Sequence, residues 1–597
     1  MSAADDRAGV MVTIQKYADA TMRDDADAMF ELLADDWRDH KGTTRQEIRD
    51  SWKKNAGAEV DLTDMEVTIE AGEATCRNVV VLWPHWTMTS DHRLRKEADG
   101  SWLLVHSATT DWANVRMELE ERRDKLQMDD AAEAARMVRE KLLSDPSRPG
   151  YHFVMPEGIA IPFDPNGAIF WKGRYHLFYI FQDKRTGRKS DHWGHVSSTD
   201  LFHWRHHPTG LLEGMYSGNC FLNKDGVPTM CYHQVGQGNA MAVALDDDLN
   251  EWQKLESNPI TPKTEEGDEH HDKYRSWDPF GWYENDAYYA IFGGKHPGIA
   301  KSPTLDGEWQ YVGDLFAHGV DGVALDEDVS CAELFKFGNK DMLLCISHRL
   351  GARYYLGEWK DEQFYPDFHA QMSWVDNTFF APESMLDDQG RRIMWAWLLD
   401  FREIGVRWEH GWSGVMCLPR VLSMNDDGEV LMDVAAEIEL LRYGANSEKD
   451  IAVPADTDVP VEGVSGDSFE LIVEMESSDA TQYGVKVYQS PDGEEETVIY
   501  YDAEDGALKI DTNRSGPDDT PKDIEAGPLR LKEGERLTLR IFVDKSVIEV
   551  FANSRQAVMR RVYPSRPDSV GVSLFSKGGT AQLHSLQSWL ISPSNPY

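Results

Sequence analysis

The chain carries 104 Asp and Glu against 61 Lys and Arg over 597 residues, a formal net charge of −43. A field of that sign repels nucleic acid and anionic membranes and suits a neutral partner, or a salty cytoplasm in which an acidic surface stays soluble. The length exceeds what one core supports and predicts three or four domains, and 41% hydrophobic content with 20 Trp describes a folded protein. No apolar run reaches membrane-spanning length. The opening "MSAADDRAGVMVTIQ" lacks a basic segment followed by an apolar one. Cys76, Cys220, Cys231, Cys331, Cys345 and Cys417 are scattered without a CxxC pair, which predicts reduced structural thiols and a cytoplasmic location.

Residues 1–115 read as a small α+β unit. "IQKYADATM" places Ile14, Tyr17, Ala18 and Met22 on one helical face, and "ADAMFELLADDW" repeats the pattern with Met29, Leu32, Leu33 and Trp37. Extended segments follow. Helices ahead of a curled antiparallel sheet resemble the SnoaL-like, nuclear-transport-factor-like cone, which implies an enzyme, a ligand pocket or a homodimerisation module. Asp39, His40 and His106 are either pocket residues or satisfied polar groups. Residues 116–148 read as a charged helical linker ending ahead of Pro146. Many short strand-like runs separated by Gly, Asp and Asn turns fill 149–440, the pattern of a propeller or a large sandwich. Residues 441–597 alternate cleanly, with Leu537, Leu539, Ile541 and Val543 facing one way before a turn at "DKS", as in a β-sandwich.

The hexapeptide "PFDPNG", Pro162 to Gly167, reads as a turn feeding two strands, Ala168–Trp171 and Tyr175–Phe181, across a "KGR" connection. Asp164 is costly between Phe163 and buried strands unless it caps that turn or has a task. Seven collinear blocks weigh on the choice: "FDPNGAIFWKGRYHLFYIF", "HWGHVSSTDLFHW", "MYSGNCFLNKDGVPTMCYH", "RSWDPFGWYENDAYYAIFGG", "FFAPESMLDDQGRRIMWAWLLD", "GWSGVMCLPRVL" and "LRIFVDKSVIEVFAN". Together they resemble glycoside hydrolase family 32, the invertase, levanase and inulinase group, across roughly 149–597. The resemblance implies a mainly β chain, a five-bladed β-propeller plus a C-terminal β-sandwich, behind the N-terminal α+β cone-like domain. It implies an exo-acting retaining hydrolase of β-fructofuranosides, needing no cofactor and no metal. Such enzymes use two carboxyl groups about 5–5.5 Å apart, one a nucleophile and one an acid that later acts as base. Asp164 matches the nucleophile and Asp278 the aspartate that holds sugar hydroxyls.

The family's acid/base glutamate is replaced by Ser330 in "DEDVSCAELFKF". Three carboxylates stand nearby. Asp328 lies two residues earlier, on the same strand face and displaced by roughly 6–7 Å. Glu333 lies on the opposite face although it matches the family's own aspartate, and Glu327 needs a bulge to reach the site. Phe163 stands for the family's asparagine and Ile180 for its glutamine, with Gln182 able to reach back. The family's Arg-Asp pair is split by Ser276 and Trp277 between Arg275 and Asp278. These losses argue against terminal fructose as the sugar held there and for a related furanoside such as arabinofuranose, which fits the same nucleophile geometry. Asn166 and Ser217 match polar motif positions, and Trp171, Trp193, Tyr216 and Trp277 are candidate sugar platforms. "EHHD" (Glu269 to Asp272) reads as a solvated loop rather than a metal site, and His192 and His195 as structural. A carbohydrate-binding or sensory protein on a degenerate scaffold, and a transglycosylase, are the alternative functions.

Overall fold

The computed structural model describes residues 3–23, 25–50, 58–83, 86–113, 131–183, 190–212, 215–261, 264–271, 278–374, 378–402 and 410–596. It forms two compact units, Met1–Met137 and Val138–Tyr597.

In the first unit, helices Ala3–Met22, Ala26–Glu31 and Arg45–Asp50 accompany a six-stranded sheet. Val10, Ile14 and Ala18 of the first helix are buried, and Val10 and Ile14 pack in one core with Trp37 and Trp102, whereas Met22 is exposed. The second expected helix stops early. Leu33–Asp39 is a strand, paired in parallel with Trp102–Ala113 at Leu33↔Leu104. Met29, Leu33 and Trp37 are buried as the pattern required, but sheet pairing outweighs helical period in so short a segment. Asp39 caps a turn, accepting from the backbone N–H of Lys41 (2.8 Å) and Thr43 (2.7 Å), and His40 Nδ1 accepts from Thr109 N–H (3.4 Å). Helix Ala131–Ser144 ends before Pro146; residues 116–130 of the expected linker lie outside the described residues.

The second unit holds five consecutive four-stranded antiparallel sheets, here I to V, followed by two six-stranded sheets. The first strands of I to V are Phe163–Trp171, Met215–Leu222, Phe280–Glu284, Ser330–Phe337 and Phe379–Leu386. Each touches the next, and the fifth touches the first, so these strands form a closed ring. The hexapeptide "PFDPNG" is not a turn. Phe163–Trp171 is one strand with register shifts between Phe163 and Pro165 and between Asn166 and Ile169. Pro165 and the left-handed Gly167 (φ 54°) break the ladder without ending the strand.

The two six-stranded sheets bury Leu537, Leu539, Ile541 and Val543 completely, each such side chain contributing roughly 1.5–3 kcal/mol. At their junction with the five sheets lies a dry ionic network. Asp544 accepts from the backbone N–H of Gly150 (2.6 Å), Tyr151 (2.8 Å) and His152 (2.7 Å), and from His152 Nδ1 (2.9 Å). The far nitrogen of His152 meets Glu549 (3.1 Å), which also takes Leu418 N–H (2.7 Å) and the Arg420 guanidinium (2.5 Å). Burial opposes charge on His152, but the two carboxylates outweigh it and raise its pKa; burial likewise opposes ionisation of Glu549, which Arg420 and His152 overcome, holding it down at about 2.

Replacing Asp544 leaves three buried N–H donors and a buried imidazolium without their acceptor. Asp544→Ala is expected to lower stability by about 3–5 kcal/mol, read as a fall in the thermal unfolding midpoint; an unchanged midpoint would show that the junction does not rest on this carboxylate.

Candidate active site

The inner strands are distorted at one common level. Register shifts fall between Phe163 and Pro165, Met215 and Gly218, Ser330 and Glu333, and Phe380 and Glu383. Non-glycine residues there take left-handed backbone: Asp164 (φ 24°), Asp278 (53°), Cys331 (46°) and Ala381 (48°). Each costs on the order of 1–3 kcal/mol, and such residues cluster at functional sites because a bulge re-aims a side chain. Gly218 belongs to the same ring, since a Cβ there would stand 2.0 Å from the Cys231 carbonyl oxygen.

Asp164 is 9% exposed and Asp278 7%. Asp164 Oδ2 accepts from Ser217 Oγ (3.3 Å), while its Oδ1 has no partner among the described residues. The carboxylate therefore caps no turn. Asp278 Oδ2 accepts from the backbone N–H of Cys331 (3.3 Å), with the Cys331 thiol at 3.7 Å. Burial first, and the charge of Asp278 second, push the Asp164 carboxyl up to about 7. Burial also raises Asp278, to about 6, against the pull of Cys331 N–H and His348. Burial is the first cause for both carboxyls, and the charge of a neighbouring aspartate adds to it in each case, Asp278 acting on Asp164 and Asp328 on Asp278.

Asn166 positions rather than lines. It is buried, its amide donates to the Asp164 carbonyl (2.7 Å) and its Oδ1 accepts from Gly218 N–H (3.0 Å). Tyr216, 37% exposed, stacks with His233 (centroids 6.1 Å, 11°); burial raises its phenol, as do the charges of Asp191 and Asp278. Gln182 is half-buried in register with Asp191.

Two aromatics expected as platforms are elsewhere. Trp193 is wholly buried, its indole N–H donating to the Tyr216 carbonyl (3.1 Å). Trp171 ends the strand that Asp164 begins, about 20 Å away by strand rise, with Lys172 over its ring. Its place at the outer end of the strand keeps it from the cavity. Half-buried rings that sequence reading did not nominate stand closer: Phe163 meets Trp397 (5.8 Å), Trp397 meets Phe380 (6.3 Å), and Phe380 meets His348 (5.9 Å). Arg275 and Trp277 lie outside the described residues.

The carboxylates of the 327–333 stretch separate. Glu333 accepts from the backbone N–H (2.6 Å) and hydroxyl of Ser384. It shares a buried hydrogen bond with Glu383, which accepts from Ala168 N–H (2.9 Å). Burial raises both carboxyls, and one proton between them satisfies the pair. Glu333 thus stitches sheet IV to sheet V and is not placed as an acid. Glu327 pairs with Arg349 and Ser347. Asp328 alone reaches the cavity side, its Oδ1 taking Ser330 Oγ (2.9 Å) and its Oδ2 taking His348 N–H (3.2 Å) and Nδ1 (2.5 Å).

Among the described residues no group of three or more His, Cys, Asp or Glu could hold a metal. His270 rests on Tyr311 (4.3 Å) and His271 meets Thr264 (2.7 Å). His195 lies in a buried stack with Phe178 (4.2 Å) and His207 (4.1 Å).

A ring of bulged inner strands that holds buried acidic side chains within electrostatic reach of one another suits the cleavage of glycosides. The chain belongs to glycosyl hydrolase family 32: the family's N-terminal domain matches residues 152–434 and its C-terminal domain 437–590. It is 29% identical to sucrose-6-phosphate hydrolase of Zymomonas mobilis over 78% of this chain and 96% of that one. It is 27% identical to levanase of Bacillus subtilis over 74% and 69%. Fructan 1-exohydrolase IIa from Cichorium intybus shares the fold, with a TM-score of 0.67 over 75% of this chain and 98% of that one at 18% identity.

The raised carboxyls carry a stability signature. A folded pKa above the unfolded value costs stability as pH rises from the unfolded pKa towards the folded one, here from about 4 to about 7 for Asp164. Asp164→Asn should therefore stabilise the protein at pH 8, by at most about 4 kcal/mol, and leave it unchanged near pH 4. Unfolding midpoints at the two pH values decide; equal shifts at both would show that the carboxyl is not strained by burial.

Proposed function

We propose that the chain is a retaining, exo-acting hydrolase of β-fructofuranosides such as sucrose, levan- or inulin-type oligosaccharides, or of a related furanoside. The observation that carries this reading is the burial of Asp164 and Asp278 at the ring of inner strands, near enough for the charge of Asp278 to raise the Asp164 carboxyl. The names of the relatives, sucrose-6-phosphate hydrolase and levanase, support the substrate class. The five sheets act as blades of a propeller, supported by the closed ring of first strands, and the two larger sheets as its sandwich.

Asp164 attacks the anomeric carbon through the oxygen that lacks a protein partner. Asp278 accepts sugar hydroxyls, and these bonds strengthen as charge develops at the ring. Ser217 holds the nucleophile's second oxygen, Asn166 fixes its backbone, and Gln182, Tyr216, Arg275 and Trp277 bind the sugar. The proton for the leaving oxygen enters at the Asp328 end of the site. Phe163, where the resemblance implied asparagine, replaces a polar contact with an aromatic face, and Ile180, where it implied glutamine, is buried in the core with Phe178 and Trp193, which fits a substrate held by ring faces more than by hydroxyl bonds.

A second reading, a saccharide-binding or sensory protein without turnover, is supported by Ser330 in the glutamate's place. The N-terminal helices and six-stranded sheet support a SnoaL-like cone, for which a homodimerisation role is proposed, and six free cysteines support a cytoplasmic setting.

Asp164→Asn should lower release of fructose from sucrose by more than about 10³-fold with an unchanged circular dichroism spectrum. Retained turnover would remove Asp164 as nucleophile, and tight sucrose binding by the wild type without turnover would favour the second reading. Light scattering of the full chain tests the last assignment, a monomeric mass excluding a stable homodimer.

A further inference from the structure

The two six-stranded sheets share a cavity of about 780 Å³ at one end. Tyr483 of Gln482–Gln489 and Tyr501 of Thr497–Asp502 line it from one sheet, and Val453 and Ala581 line it from the other. Strand Ser468–Glu476 runs from the Asp544 junction, where Ser468 pairs with Asp544, to Glu476 in the cavity wall. That strand spans roughly 26 Å, and no lining residue belongs to the five smaller sheets. We propose that this cavity is a second binding site, separate from the Asp164 site, which takes a neutral oligosaccharide of two or three units.

The tyrosines carry the argument. Tyr483 is 3% exposed and Tyr501 8%. They stand opposite each other on paired strands, with ring centroids 5.9 Å apart at 70°. Among the described residues neither hydroxyl has a hydrogen-bond partner. A buried phenol ordinarily finds one, and two that lack it in one cavity wall mark a place where a ligand supplies it. Burial raises the Tyr483 phenol, and the charges of Tyr501 and Glu476 add to that, so its hydroxyl remains a donor.

The rest of the lining selects the ligand's chemistry. Each charged side chain in it is already answered by the protein: Glu476 by Arg536 (3.3 Å), Lys532 by Asp427 (3.0 Å) and Glu535 by Arg555 (2.6 Å). An ionic ligand would have to break one of these pairs to find a partner. A neutral one need not. Val453, Ala480 and Ala581 are buried and apolar, while Gln582 donates its amide to the Leu583 carbonyl (2.9 Å) and keeps its own carbonyl oxygen for a ligand hydroxyl. Apolar surface with a few converging hydroxyl and amide groups matches the C–H and O–H faces of a sugar, and the volume lies within the range of small-molecule sites. On a polymeric saccharide, occupancy here would hold other chain ends at raised concentration around the protein.

The test titrates 1-kestose, maltotriose and xylotriose into the full chain carrying Asp164→Asn, which keeps the fructoside from being consumed. The same chain bearing Tyr483→Phe and Tyr501→Phe as well is titrated beside it. For at least one trisaccharide, one binding equivalent is expected to weaken about tenfold or more when the two hydroxyls are removed, with an unchanged unfolding midpoint. In the protein that retains Asp164, the same two tyrosine substitutions should leave sucrose turnover within about twofold. Ala503→Trp, at an exposed position of the lining, obstructs the cavity without entering the core and should remove the same equivalent. It decides alone if the tyrosine variant does not fold. The proposal is overturned if none of the three sugars loses an equivalent in these variants, or if hexanol binds there and no sugar does. Absence of sucrose turnover by the wild type would instead remove the hydrolase reading and leave these titrations standing.

Discussion

Hydrogen bonds from each sheet to the next, all but one junction using a side chain, close the ring of inner strands, and the site depends on that closure. Asn166 takes Gly218 N–H between sheets I and II. Asn219 exchanges two hydrogen bonds with Gly281 between II and III (2.7 and 2.9 Å). Gly294 and Val329 pair through their backbones between III and IV (2.8 and 3.0 Å). Glu333 holds Ser384 between IV and V, and Glu383 holds Ala168 between V and I. An inner edge strand left alone would present a row of unpaired donors and acceptors. Here each sheet bonds to its neighbour at one or two points, and Asn166 and Glu333 among the bonding residues sit close in sequence to Asp164 and Cys331.

The same closure sets the electrostatics. Asp164 and Asp278 are driven towards protonation by burial, whereas Asp328, a few residues from Asp278's own partner Cys331, is driven towards ionisation by His348 and Ser330. Environments that push neighbouring carboxyls apart are what divides acid, base and nucleophile roles in a single site. Beneath, the Glu333–Glu383 pair stays buried with Arg392 stacked over Phe335 (3.9 Å), a support rather than a reagent. Farther out, Asp544 and Glu549 clamp the chain entering sheet I to the last two sheets, which explains why the hairpin "LRIFVDKSVIEVFAN" buries two acids among apolar strand residues.

Legibility differed by residue for physical reasons. Asp164 is a carboxylate out of place beside apolar strand residues, and that mismatch is readable, whereas Asp278, Ser217 and Tyr216 were legible only through the resemblance of their motif blocks. The hexapeptide's turn residues were read as a turn because Pro, Asn and Gly serve equally well in a bulge, and only pairing with Arg174–Asp183 distinguishes the two. Trp193 and Trp171 carry no signal that separates core from cavity, since the outcome depends on which strand end meets the axis. His348 was not nominated at all. It lies in an ordinary hairpin turn, "SHRLG", and gains meaning only from Asp328, twenty residues away in sequence.

Composition and period alone determined a mainly β chain with a sandwich at its end, because alternating burial is a local property that each strand writes into its own residues. The order of motif blocks determined the family. Tertiary structure decided which carboxyl pairs with which group: Glu333 with Ser384, Glu327 with Arg349, Asp328 with His348. Those choices depend on bulges and left-handed backbone at the ring, where displacement by a single residue turns a side chain from the cavity to the core, and no linear pattern fixes that displacement.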